Sequence, residues 1–88
     1  MVPHGKIRSV KELGALVRQR RKDAGVLQAD AAALAGVGAR FLSELERGKE
    51  TAEVGKVLQV LDRLGLELLV VPRGSGEAAS PAQERDDG

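Results

Sequence analysis

QADAAALAGVGARFLSELE, residues 28–46, is the stretch whose reading decides the fold. Two short helices can be written into it, separated by a turn at Gly36-Val37. The first carries Ala31, Ala32 and Ala35 as its apolar set; after the turn come Val37, Leu42 and Leu45. Ala32 and Gly36 lie one helical turn apart and are both small. Two helices crossing at close range need such a minimal side chain at the crossing and a residue without a Cβ in the turn. Leu42 and Leu45, spaced i, i+3, share one side of the second helix and face back toward the first. Gly38, Ala39, Arg40, Ser43, Glu44 and Arg47 are left on its outer face.

This is the layout of a helix-turn-helix reader of duplex DNA, whose second helix enters the major groove. Gln28, Ala32, Gly36, Val37, Leu42, Leu45 and Glu46, followed by Arg47-Gly48-Lys49, together resemble the Cro/Xre-type phage-repressor family. The resemblance runs from Val10 to Gly65. An isolated Ala-xxx-Gly spacing carries little information; the whole register ending in Leu-Ser-Glu-Leu-Glu-Arg-Gly-Lys carries much more. The structural alternative is a small helical bundle with an alanine-rich crossing.

With 88 residues the chain has room for one domain. Phe41 is the only aromatic residue, so the core must be built from short aliphatics, and a chain of this size often relies on a partner. Cysteine is absent, which removes disulfide and thiol chemistry and fits a reducing cytosol. No apolar run approaches the roughly 20 residues of a membrane span, and no signal-peptide pattern opens the sequence, so a cytoplasmic location is expected. Residues 1–73 hold 13 of the 14 Lys and Arg and nine of the 13 acidic residues, a net +4, whereas residues 74–88 carry −3. A basic body with an acidic tail suits a nucleic-acid binder, although +4 is also ordinary for a soluble domain.

Residues 1–8 read as an N-terminal arm, with Pro3 and Gly5 arguing for loop. His4 is the only histidine. A metal site needs several converging ligands, so none is expected, and neither is any other cofactor. Ser9-x-x-Glu12 is a capping box that opens the first helix. Leu13, Leu16, Val17 and Ala24 form its apolar stripe, and Gly25 ends it. Arg18, Arg20, Arg21 and Lys22 crowd the last turns, where cations complement the helix dipole; for each, a solvated face competes with a phosphate contact.

In the resembled family an arginine closing the first helix pairs with the glutamate closing the recognition helix. Arg21 and Glu46 occupy those places, and a planar guanidinium can grip a carboxylate with two bonds. The family usually caps the second helix with Ser, Thr or Asn. Leu27 cannot do so, which weakens that helix start by about 1 kcal/mol. Gln28 follows, where its amide and the unpaired N–H groups can hold a phosphate. Ala31 replaces a larger aliphatic residue, and Leu34 is a candidate to fill the space. After the turn Gly48-Lys49-Glu50, Thr51 can cap a fourth helix with Glu53 in its first turn. Val54, Val57, Leu58, Leu61 and Leu64 form its core stripe, with Gly55 a mild cost.

Leu66-Glu67-Leu68-Leu69-Val70-Val71 reads as a strand ended by Pro72. It has no obvious partner within the chain, and an unpaired apolar edge is an aggregation site. A sister chain can supply the same strand, Leu66, Leu68, Leu69, Val70 and Val71 included, across a two-fold axis. Dimeric readers of this class also contact two half-sites about 34 Å apart. The expected fold is therefore all-α. A compact four-helix helix-turn-helix domain (9–65) is followed by one C-terminal β-strand (66–72) that pairs with the sister chain in a homodimer. Residues 73–88 are a disordered acidic tail.

The small size, residues 40–49 and the position of the strand make the chain similar to HipB-type antitoxins of toxin–antitoxin modules. That resemblance implies a repressor of its own operon that binds palindromic double-stranded operator DNA and a HipA-like kinase toxin. A stand-alone regulator is the alternative. An enzyme is not expected, because the residues offer no catalytic constellation. Arg40, with Gly38, Ala39, Ser43 and Glu44, is expected to read bases; Gln28, Arg47 and Lys49 are expected to hold phosphates.

Overall fold

The computed structural model describes residues 6–73. Its elements are four helices: α1 (Val10–Asp23), α2 (Gln28–Ala35), α3 (Ala39–Glu46) and α4 (Val54–Arg63). The Pro3, His4 and Gly5 readings and the acidic tail beyond Arg73 lie outside the described residues.

Each helix starts and stops for a local reason. Ser9 caps α1, accepting the Glu12 N–H at 3.1 Å. The Glu12 carboxylate reaches back one residue further than the capping box requires, to the Arg8 N–H at 2.6 Å. α2 begins at Leu27 with no side-chain cap. All four helices end in the same hydrogen-bond pattern, in which a glycine and the residue after it donate back to the last turn. At Gly36 this needs φ +74, a left-handed conformation that costs other residues about 1 kcal/mol or more. The chain then turns tightly enough to bring α3 across α2.

Val17, Ala31, Ala32, Ala35, Leu42, Leu45, Val57, Val60 and Leu61 form the core. α3 packs on α1 and α2, and α4 closes the other side of α2. The α1–α3 contact is unusually close. A Cβ built on Gly14 would overlap the Leu45 carbonyl oxygen, and one on Gly48 would come within 2.8 Å of Lys11 Cα. Backbone thus meets backbone along this seam, and only glycine fits.

Four sequence expectations change. Val54 and Leu58 are exposed, and Val60 takes their place in the core. Val57, Val60, Leu61 and the half-buried Leu64 follow the i, i+3, i+4, i+7 spacing of a single face, while Leu58 sits about 100° around the helix from Val57. Leu34 is also exposed, so nothing fills in for Ala31, which is itself buried because the helices approach closely. Thr51 lies too early to cap α4; Glu53 holds that position and makes no cap bond.

The fourth change is the strand. Leu66 to Pro72 forms no strand, and the described residues contain only helices and irregular segments. The Leu66 N–H is spent on the Leu61 carbonyl at the end of α4. A lone extended segment has no second backbone to complete a ladder. Leu68, Leu69, Val70 and Val71 remain exposed.

Candidate nucleic-acid interface

α3 is held from behind by a buried ion pair. Arg21 Nε donates to Glu46 Oε2 at 2.7 Å and Nη2 donates to Oε1 at 2.9 Å, a two-bond fork. Arg21 Nη1 also donates to the Val26 carbonyl at 2.8 Å, so the guanidinium pins the end of α1 and the α1–α2 turn to the end of α3. The hydrogen bonds that Arg21 donates to the Glu46 carboxylate raise the Arg21 pKa above its ordinary value. Burial opposes that shift and the carboxylate charge adds to it.

Gln28 belongs to the same cluster. Its Nε2 donates to Glu46 Oε1 at 3.0 Å. The amide named from the sequence as a phosphate ligand is therefore turned toward the buried pair, with one of its two N–H groups used there.

The outer face of α3 is set by the same helix geometry. Leu42, Leu45 and Glu46 are buried, so Arg40, Glu44 and Arg47 lie on the opposite side, with Ser43 on the flank and Ala39 exposed at the helix start. Gly38 is the N-cap residue, and nothing lies within 4 Å of a Cβ built on it. The Arg40 side chain is 90% exposed. Glu44 sits beside it, one turn on, and accepts from Arg40 Nε at 3.2 Å and from Lys49 Nζ at 3.0 Å. Those two hydrogen bonds, Lys49 first, hold the Glu44 carboxyl below the usual carboxylate range. Phe41 is half-buried against the core at the helix edge, with Lys56 Nζ 5.8 Å from its ring centre.

The structure thus joins Arg40, Glu44 and Lys49 through side-chain contacts, leaves Gly38 and Ala39 exposed at the start of α3 and Arg47 exposed at its end, keeps Ser43 half-buried, and turns Gln28 toward the buried pair. Four residues contribute to this geometry in ways the sequence reading did not anticipate. Gly14 and Gly48 admit the close α1–α3 seam. Gln59 Nε2 donates to the Ala35 carbonyl at 3.0 Å, and Arg20 Nε to the Leu64 carbonyl at 2.8 Å, each closing the end of a helix on a neighbouring one. A glycine in a helix interior is itself a signal, since it costs about 1 kcal/mol against alanine and so calls for a packing reason.

Residues 12–71 match the helix-turn-helix domain family. An uncharacterized HTH-type transcriptional regulator of Sinorhizobium fredii, y4mF, is 46% identical over 69 residues, which covers 78% of this chain and 91% of that protein. Among solved structures, the chain superposes on a HipA–HipB–O2–O3 complex with a TM-score of 0.72 at 20% identity, covering 78% of this chain and 97% of the matched one. It superposes on the clp gene regulator ClgR of C. glutamicum with a TM-score of 0.60 at 32% identity, covering 70% and 80%. The chain belongs to the helix-turn-helix family of transcriptional regulators. No helix among the described residues is long and apolar enough to cross a membrane.

Proposed function

We propose that this helix-turn-helix regulator is a cytoplasmic, sequence-specific repressor that binds palindromic double-stranded operator DNA as a homodimer. We further propose that it is the antitoxin of a HipA/HipB-like module, repressing its own operon and binding a HipA-like kinase toxin. The observation that carries the DNA-binding reading is the outer face of α3, which is small at its start and carries the exposed Arg40. The buried Arg21–Glu46 fork fixes that face from behind.

Arg40 then reads guanine through O6 and N7, a contact that discriminates by about 1–3 kcal/mol. Ser43 reads more weakly, and Gly38 and Ala39 let the helix approach. Arg47 and Lys49 hold phosphates. Gln28 keeps one N–H for a phosphate at the start of α2 while the other stays on Glu46. The exposed Leu68, Leu69, Val70 and Val71, with Leu66 beside them, pair antiparallel with the same segment of a second copy. The antitoxin assignment draws on the likeness to the HipA–HipB–O2–O3 complex. The greater identity to an HTH-type transcriptional regulator favours the alternative of a stand-alone regulator without a toxin.

The test is a binding series on variants of a duplex selected by the wild-type protein from a randomised pool, at several salt concentrations. Arg40→Ala should flatten preference at one position of each half-site, while Lys49→Ala should weaken all sequences alike and reduce the salt slope by about one unit. Full base preference in Arg40→Ala together with its loss in Lys49→Ala would overturn this assignment of roles. Proline at Leu68 or Val70 should weaken the dimer in sedimentation, and a HipA-like kinase reading frame beside the gene separates antitoxin from stand-alone regulator.

A further inference from the structure

We propose that Glu44 is a specificity-determining positioning residue: it touches no base, and instead holds Arg40 and Lys49 in place while its charge penalises contact with arbitrary phosphate. The proposal rests on the DNA-binding reading above. It departs from the sequence-based role of Glu44 as a base reader.

The geometry gives Glu44 two partners on different segments. One carboxylate oxygen accepts from Arg40 Nε at 3.2 Å and the other from Lys49 Nζ at 3.0 Å. Both oxygens are engaged by side chains that the proposed function places on DNA, one on α3 and one in the turn after it. Exposure shows which member is anchored. The Glu44 side chain is 23% exposed, against 90% for Arg40 and 49% for Lys49. A half-buried carboxylate at the base of two long cations is a fixed point from which they extend.

Its position makes the charge consequential. Arg40, Glu44 and Arg47 lie farthest from the buried Leu42–Leu45 side of α3, so any groove that receives Arg40 receives Glu44 as well. Two effects follow. Arg40 uses Nε on Glu44 and retains its two Nη groups, the fork a guanine edge requires. Its many rotamers are reduced before it meets DNA, which lowers the ordering cost of a correct contact. A duplex of the wrong sequence offers only phosphates to these cations. There the carboxylate competes for both of them and adds like-charge repulsion, a penalty on the unwanted partner. Affinity for arbitrary duplex therefore falls more than affinity for the correct one.

Exposed ion pairs usually contribute little to stability, so a purely decorative role is the reading to beat. A carboxylate can also accept from cytosine N4 directly. Glu44→Gln in the full chain separates the three. Fluorescence anisotropy would compare the pool-selected duplex with a mixed-sequence duplex of equal length, across a salt series, with circular dichroism confirming an unchanged fold. The expected result is about five- to tenfold tighter binding to the mixed-sequence duplex, with the slope of log K against log salt steeper by about one unit. The ratio of selected to mixed affinity should fall about tenfold, and the effect on base preference should vanish when Arg40→Ala is already present. Unchanged slope and ratio would overturn the proposal in favour of an idle surface pair. Lost preference at a single cytosine, with no gain on mixed sequence, would overturn it in favour of direct reading. A wild-type chain that selects nothing from the pool removes the DNA-binding reading itself, and this inference with it.

Discussion

Arg21–Glu46 and Arg40–Glu44 join the same two chemical groups, and both use α3, yet they do different work. The first pair is a two-bond fork whose side chains are 9% and 2% exposed. The second is a single contact at 3.2 Å, with Arg40 90% exposed. Water decides the difference. In the dry pair each charge depends on the other, because either one left alone would sit unpaired in a low-dielectric interior. In the wet pair each partner can exchange its bond for water or for an incoming ligand at little cost. The molecule keeps its fixed charges behind the recognition helix and its exchangeable charges in front of it.

The sharpest way to break this contrast is Arg21→Met. The methionine fills part of the space but strands Glu46 buried with only Gln28 as a donor, and removes the bond to the Val26 carbonyl. Loss of one member of a buried pair costs about 3–5 kcal/mol, a large share of the roughly 5–15 kcal/mol of a small domain. Urea denaturation followed by far-ultraviolet circular dichroism measures it, since the chain has no tryptophan. Arg21→Met combined with Glu46→Leu should recover most of the loss, because the unpaired charge has gone. A single variant that costs under about 1 kcal/mol would behave as an exposed pair does, and the contrast would collapse.

A smaller effect is expected where the seam that carries the dry pair is tightest. A Cβ on Gly14 would overlap the Leu45 carbonyl oxygen and come within 3.0 Å of the Glu46 backbone. Those are main-chain atoms, which cannot swing aside. Gly14→Ala gains about 1 kcal/mol of helix propensity, but the overpacking costs about 1–3 kcal/mol and separates α1 from α3. Gly55 supplies the control, for nothing lies within 4 Å of a Cβ there. Gly55→Ala should stabilise by about 0.5–1 kcal/mol. Thermal melts that rank both alanines as stabilising would show that the seam is looser than its geometry indicates.

These features were unequally legible in the sequence. Ala31, Ala32, Ala35, Leu42 and Leu45 declare themselves through helical spacing, and Gly36 through the turn chemistry between them. Spacing alone could not choose between two overlapping stripes in α4, so Val54 and Leu58 displaced Val60. Arg21 and Glu46 lie 25 residues apart, with no periodic link, and only the family resemblance connected them. Arg40 and Glu44 did carry a signal, the i, i+4 spacing of a helical ion pair. Lys49 did not, because its reach to Glu44 depends on how the chain turns at Gly48. The segment 66–72 shows the limit of local pattern: its apolar residues favour a strand, but a ladder needs a second backbone that the pattern cannot supply.

The smallest expected effect concerns pH. Lys49 and Arg40 hold the Glu44 carboxyl below its ordinary range. A lowered native value means that the charge is fully present above the ordinary carboxylate range and is lost only as pH falls through the depressed native value. Between pH 7.5 and pH 5, then, the lowered Glu44 carboxyl should keep its charge, and the wet pair should be insensitive to pH. The affinity of Glu44→Gln for mixed-sequence duplex, divided by that of the wild type, should stay constant across this window. Every other titrating group is common to both proteins and cancels in the ratio. Anisotropy titrations at pH 7.5, 6 and 5 give the ratio directly. A ratio that drifts toward one by pH 5 would mean that Glu44 is protonating early. The bonds from Lys49 and Arg40 would then be open for much of the time, and the wet pair would be not merely exchangeable but mostly exchanged.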